Sequence, residues 1–151
     1  MESKYDSLTL KNQLCFPIYL CAKEITRKYN HLLKTIDLTY TQYIVMMYFW
    51  ENKESNVQKI SKVLLIDSST LTPILKTLEK KGYIIRKRSS EDERNLIVSI
   101  TEKGFDLRDR AIDIPKKIGS CINLSKDDAL MLYKLIYKTL VNVEEDLNGT
   151  K

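Results

Sequence analysis

Asp67–Thr101 reads DSSTLTPILKTLEKKGYIIRKRSSEDERNLIVSIT. Leu71, Ile74, Leu75 and Leu78 keep the i, i+3, i+4, i+7 spacing of one helical face. Counted at ~100° per residue from Leu71, the side chains of Ser69, Thr72, Lys76 and Lys80 fall between roughly 100° and 180°, on the opposite face. Gly82 supplies a helix stop. Tyr83–Lys87 and Leu96–Ile100 are rich in β-formers and flank SSEDERN, so they read as two short strands joined by a charged tip. The helix packs with one face and keeps a ridge of hydroxyls and ammonium groups free.

Upstream, Val57, Ile60, Val63 and Leu64 mark a short helix, and Asp67 closes the turn that follows it. Short helix, turn and longer helix form the helix-turn-helix pattern. With the hairpin added, the fold class is mainly α (α+β), a winged helix-turn-helix with a two-stranded wing. Leu14, Ile18, Cys21, Ile25, Tyr29 and Leu32 are spaced as a long first helix ending near Lys34. Thr39-Tyr40 opens a second helix through Tyr43, Ile44, Met47, Tyr48 and Trp50, which ends in the polar turn Glu51–Glu54. Thr101–Gly104 starts a fifth helix toward Ile118, and Ser125-x-x-Asp128 has the form of a capping box before a last helix carrying Leu130, Tyr133, Leu135, Ile136, Leu140 and Val143. A single domain, 1–151, is expected, with its DNA-binding core at 40–101. The helices of 8–36 and 102–147 offer more apolar surface than one small domain needs.

The formal charge of +5 suits a polyanionic partner, and its distribution sharpens the point. Lys76, Lys80, Lys81, Arg86, Lys87, Arg88 and Arg94 stand against Glu79, Glu91, Asp92 and Glu93 in one stretch, whereas the segment after Asn123 is close to neutral. The expected DNA-contacting set is Ser68, Ser69, Thr70, Thr72, Pro73, Lys76 and Lys80 on the reading helix, with Arg86 and Arg88 at the base of the wing. Hydroxyls reach phosphates or base edges, and a lysine is a compact, salt-sensitive phosphate partner. Pro73 lacks an N–H and crowds the carbonyl of Ser69. Either the regular helix starts at Thr72–Pro73, or Pro73 bends an earlier start. Both leave polar backbone at an end whose dipole favours phosphate. Near the wing tip, Asp92 can accept from Arg94 and aim it at a narrow minor groove.

Other classes fit less well. No apolar run approaches the roughly 20 residues that span a bilayer, and MESKYDSLTLKNQ is too polar for a signal peptide, so a cytoplasmic protein without membrane contact is expected. Three cysteines without a CxxC pair, and His31 as the one imidazole, argue against a disulfide scaffold, a structural zinc or any metal site. No cofactor is implied.

The stretch DSSTLTPILKTLEKKGYIIRKRSSEDERN resembles the MarR family of winged-helix repressors. NQLCF at 12–16 and LTYTQY at 38–43 narrow the resemblance, which covers about Leu10 to Ala111, to the branch that senses organic hydroperoxides through a thiol. It implies a homodimer joined by its terminal helices, which represses a pseudo-palindromic double-stranded operator until oxidised. By the same resemblance Cys15 corresponds to the peroxidatic cysteine, Tyr29 and Tyr40 to the tyrosines that hydrogen-bond it, Ser69, Thr70, Thr72, Pro73 and Lys76 to the DNA-facing part of the recognition helix, and Asp92 and Arg94 to the wing pair. Pro17 and two additional cysteines depart from the family pattern.

Thiolate is the species that attacks a peroxide. Tyr29 lies fourteen residues beyond Cys15, about 21 Å along a helix at ~1.5 Å per residue, so its partner must be the other subunit's Cys15 if the correspondence holds. Pro17 should start or kink the helix near Cys15, bringing the sulfur close to N–H groups that stabilise a thiolate. Cys21, on the apolar stripe about 9 Å from Cys15, is read as core and is too far for an intrahelical disulfide. Cys121 is a candidate resolving thiol; a small thiol forming a mixed disulfide is the alternative. Rival functions are a repressor relieved by a phenolic ligand, a broader thiol-redox regulator, and a thiol peroxidase. The last is disfavoured by the absence of a visible acid–base pair, so no enzyme is expected.

Overall fold

The computed structural model describes residues 4–88 and 96–149. Among these, seven α-helices and one small sheet follow in the order α1 (Cys15–Leu33), α2 (Tyr40–Asn52), β1 (Glu54–Asn56), α3 (Val57–Leu64), α4 (Ser68–Lys80), β2 (Ile84–Arg88), β3 (Leu96–Ile100), α5 (Glu102–Ala111), α6 (Ile114–Ile122) and α7 (Lys126–Gly149). Two compact units are present, residues 1–115 and 116–151.

Local chemistry sets the boundaries in the first unit. Thr39 and Gln42 close a reciprocal capping box at the start of α2, and the Asn56 side chain accepts from the Lys59 N–H to start α3. At the end of α4, Gly82 takes φ 76°, its N–H donating to the Glu79 carbonyl and that of Tyr83 to the Leu78 carbonyl. These are the bonds of a Schellman stop, with Leu78 and Tyr83 supplying its apolar contact. Pro73 lies inside α4, which begins five residues earlier, so the earlier-start alternative holds. One core gathers Leu33 from α1, Val45, Met46 and Phe49 from α2, Ile60 from α3, Leu71, Leu75 and Leu78 from α4, Ile84 and Val98 from the sheet, and Leu107 from α5. Full burial of a side chain such as Leu71 contributes about 1.5–3 kcal/mol, so α4 is held mainly by this stripe.

The sheet corrects one expectation. It has three antiparallel strands in the order β1-β3-β2, because Glu54–Asn56, read as the end of a polar turn and the start of a helix, pairs with Ile97–Ser99. Three polar residues show no period-two pattern. They are recruited by the ladder itself, by the Tyr48 hydroxyl donating to Ser55 Oγ at 2.8 Å, and by Ser99 Oγ donating to Glu54 Oε2 at 2.6 Å. A second correction concerns the single fifth helix expected toward Ile118, which is broken at Ile112–Asp113 into α5 and α6. Pro115 cannot donate to the Ala111 carbonyl and would crowd it in a continuous helix.

Leu65, between α3 and α4, is left-handed at φ 51° and 58% exposed. A non-glycine residue is strained there, by about 1–2 kcal/mol, and its side chain adds little burial in return. Leu65→Gly is expected to raise the melting temperature by roughly 2–4 °C, since a gain near 1 kcal/mol shifts a domain of this size by about that much; a thermal melt that falls would show that Leu65 packs against something.

In the second unit, α7 starts behind Ser125, whose Oγ accepts from the Asp128 N–H at 3.1 Å and donates to its carboxylate at 2.5 Å. The cap thus differs from a reciprocal box: Asp128 takes the hydroxyl proton rather than a backbone N–H. Along α7, Leu130, Tyr133, Ile136 and Leu140 are exposed.

Candidate nucleic-acid interface and thiol site

The two faces of α4 separate as the spacing demands. Leu71, Leu75 and Leu78 are at most 1% exposed, while Ser68, Ser69, Thr70, Pro73, Lys76 and Lys80 are exposed and Thr72 is half-buried. No side chain caps the start of α4: Asp67 contributes only its carbonyl, to the N–H groups of Thr70 and Leu71. Positive dipole, hydroxyls and two ammonium groups therefore share one accessible surface, a composition suited to phosphate. The Thr72 hydroxyl donates to the Ser68 carbonyl at 2.7 Å. Its oxygen keeps lone pairs and its proton is committed, so Thr72 offers an acceptor rather than a donor.

At the wing base, Lys87 and Arg88 are exposed. Arg86 is placed differently from the expected DNA-facing position. Its Nε and Nη2 donate to Glu79 Oε2 at 2.9 and 2.6 Å, and its backbone N–H donates to Glu79 Oε1 at 3.0 Å. Only 20% of its side chain is exposed. Asp92 and Arg94 lie outside the described residues.

Cys15 is the first residue of α1 and is exposed, with Pro17 inside the first turn and no side-chain cap at Leu14. A proline there sacrifices no helical hydrogen bond, because first-turn N–H groups have no intrahelical acceptor. Cys21 corrects the core assignment, since it is exposed, as are Leu14, Ile18, Tyr19 and Leu20 around it. The apolar stripe of α1 packs on the core at its far end, through the partly buried Tyr29 and Leu32, while Leu14, Ile18 and Cys21 in its first half are exposed. Cys121 is exposed in the last turn of α6.

Tyr29 and Tyr40 come together, with ring centroids 4.6 Å apart, and the Tyr40 N–H donates to Asn30 Oδ1 at 2.9 Å, fastening the start of α2 to the end of α1. Tyr43 joins them at 5.9 Å from Tyr29 and stands edge-on to Trp50, also at 5.9 Å. In the sequence Tyr43 stands out only as an apolar position of α2. Its place three residues after Tyr40, on the same helical face, was the available signal. Burial pushes all three phenols above the ordinary tyrosine value of 10.0, and for Tyr29 and Tyr43 the neighbouring phenols raise it further. They stay protonated near neutral pH and so keep an O–H to donate, the property needed to stabilise a thiolate.

A profile for SarA/Rot transcriptional regulators matches residues 27–110, more than half of the chain. This chain belongs to that family of transcriptional regulators. Over 145 residues it is 41% identical to the organic hydroperoxide resistance transcriptional regulator of Bacillus subtilis, covering 96% of this chain and 99% of that one. It is also 44% identical over 119 residues to the regulator SarZ of Staphylococcus epidermidis, covering 79% and 80% of the two chains. Among solved structures, reduced AbfR bound to DNA superposes with a TM-score of 0.78 at 32% identity, covering 95% of this chain and all of that one. The DNA complex of MepR from Staphylococcus aureus reaches the same TM-score at 20% identity and supports the fold alone. This SarA/Rot member is thus a MarR-type winged helix, as the resemblance of its reading helix implied.

Proposed function

We propose that this regulator is a homodimeric, cytoplasmic, DNA-binding repressor that releases its operator when organic hydroperoxide oxidises Cys15. The observation that carries the reading is the pairing, in one chain, of an exposed thiol at the start of α1 with a reading helix whose polar face is free. Near full-length similarity to a hydroperoxide resistance regulator supports the signal. Similarity to AbfR, solved on DNA in reduced and overoxidised forms and also with a disulfide formed, supports a DNA-binding protein whose thiol undergoes oxidation.

In the reaction, the Cys15 thiolate attacks the terminal oxygen of ROOH. The O–O bond breaks, sulfur becomes the sulfenic acid, and the alkoxide leaves as ROH after taking a proton. A second thiol then displaces water from the sulfenic acid and forms a disulfide. Cys121 of the other subunit or a small thiol supplies that sulfur. The reaction is stoichiometric signalling rather than catalysis. Tyr29 and Tyr40 donate to Cys15 across the dimer, whose interface uses the exposed first half of α1 and the apolar residues of α7. Among the described residues no helix is long and apolar enough to cross a membrane, which fits a cytoplasmic site of action.

The test is a gel shift on DNA upstream of the protein's own coding sequence, with and without cumene hydroperoxide. Binding by the reduced protein and release with a modified Cys15 in the mass spectrum support the reading; binding unaffected by the oxidant refutes the sensing half. On the DNA side, Lys76→Gln is expected to weaken operator binding and to lower the slope of log K against log salt by about one, as loss of a single phosphate contact should. An unchanged slope in salt-titrated anisotropy would remove Lys76 from the interface.

A further inference from the structure

We infer that Glu79 and Arg86 form a clamp that fixes the wing on the reading helix, making both positioning residues for operator specificity rather than contacts to phosphate. The inference rests on the DNA-binding reading above and deepens it.

Glu79 is the penultimate residue of α4, and Arg86 is the middle residue of β2. One carboxylate takes three donors from one residue, the backbone N–H and two guanidinium N–H groups. In the strand order β1-β3-β2, β2 is an edge, and the Arg86 N–H points to the open side of the sheet. The Glu79 side chain fills that ladder position from the helix. Only Lys81, Gly82 and Tyr83 join the two elements, and Gly82 at φ 76° is the sort of residue about which they could swing. The clamp spans this connection and sets the angle at which β2 leaves α4.

That angle matters because helix and wing engage different surfaces of a duplex. Their relative placement decides whether both seat at once on an operator, whereas loose electrostatic association tolerates variation. Arg86 is poorly suited to phosphate. Its guanidinium already neutralises a carboxylate, and turning it outward would leave Glu79 unpaired beside the polyanion. Lys87 and Arg88, both exposed, supply free positive charge at the wing base. The Arg86 hydrogen bonds hold the Glu79 carboxyl below its ordinary 4.5. A lowered folded value means that the pair stabilises the fold above that pH and is lost as pH falls through the lowered value, so the clamp is closed at neutral pH.

The experiment measures anisotropy of the reduced full-length protein on two duplexes, the DNA upstream of its own coding sequence and a scrambled duplex of the same length, across salt. Arg86→Gln and Glu79→Gln are each expected to weaken binding to the upstream duplex and to lower its preference over the scrambled duplex about tenfold, with the salt slope unchanged. Glu79→Gln discriminates by sign, since removing a negative charge should tighten both duplexes if only electrostatics count. The inference is overturned if Glu79→Gln leaves operator binding equal or tighter, or if Arg86→Gln weakens both duplexes alike and lowers the slope by about one. Circular dichroism melts separate misfolding from misplacement, and Arg86→Lys, which keeps charge without the fork, should behave as Arg86→Gln. A wild-type protein with no preference for the upstream duplex would instead defeat the DNA-binding reading, and the clamp with it.

Discussion

Gly104→Ala is expected to abolish the folded state of residues 1–115, seen as loss of the cooperative thermal transition. Gly104 lies in the first turn of α5, where the Tyr83 backbone crosses it. A Cβ there would stand 2.0 Å from the Tyr83 carbonyl oxygen, 2.8 Å from the carbonyl carbon and 3.0 Å from Ile100 Cγ1. The obstacle is backbone, so no rotamer relieves it, and α5 would have to move away. Movement breaks the bond from the Thr101 N–H to the Tyr83 carbonyl at 3.0 Å, that from the Thr101 hydroxyl to the Gly82 carbonyl at 2.6 Å, and that from the Trp50 indole to the Gly104 carbonyl at 2.9 Å. Overpacking of a core costs about 1–3 kcal/mol where side chains can adjust, and more where they cannot. Several kcal/mol is most of a domain's stability. Gly119 in α6 is the control, with nothing within 4 Å of an added Cβ, so Gly119→Ala should be neutral or stabilising by up to about 1 kcal/mol through helix propensity. A Gly104→Ala protein that melts like wild type would show that the Tyr83 crossing yields easily.

Cys15→Ser is expected to give a repressor that binds its operator as tightly as wild type and no longer lets go. Serine keeps the size of the side chain and removes the sulfur on which sulfenic acid forms. Cys15 is exposed and makes no core contact, so folding should be untouched. In gel shifts, cumene hydroperoxide should release wild type completely and the variant not at all, while Cys21→Ser responds as wild type. The Cys121→Ser result assigns the second sulfur: retained release with added small thiol points to a mixed disulfide, and lost release points to Cys121. Release of the Cys15→Ser protein would return the phenolic-ligand reading, and multiple turnovers of peroxide per subunit would return the peroxidase.

How legible these features were follows from their physics. The α4 stripe and the Gly82 stop were readable because helical period and left-handed backbone leave marks in residue type. β1 was not, since three polar residues have no period and owe their strand state to β3. The break before α6 had a mark, Pro115, which an apolar pattern running toward Ile118 concealed. Cys21 kept helical spacing and was therefore read as core, yet spacing says which residues share a face and not whether that face is covered.

What the sequence by itself determined is the kind of protein, a winged helix with its reading face, from periodicity and turn residues along neighbouring elements, whereas Cys15 stands out through the resemblance of NQLCF to a family and not through any such pattern. Only the tertiary structure decided that Arg86 belongs to Glu79, that Tyr43 joins Tyr29 and Tyr40, and that Gly104 admits no side chain. The reason is that a charge, a phenol or a glycine acts on whatever lies within a few ångströms of it, and local periodicity orders a helix without saying what another element brings against it.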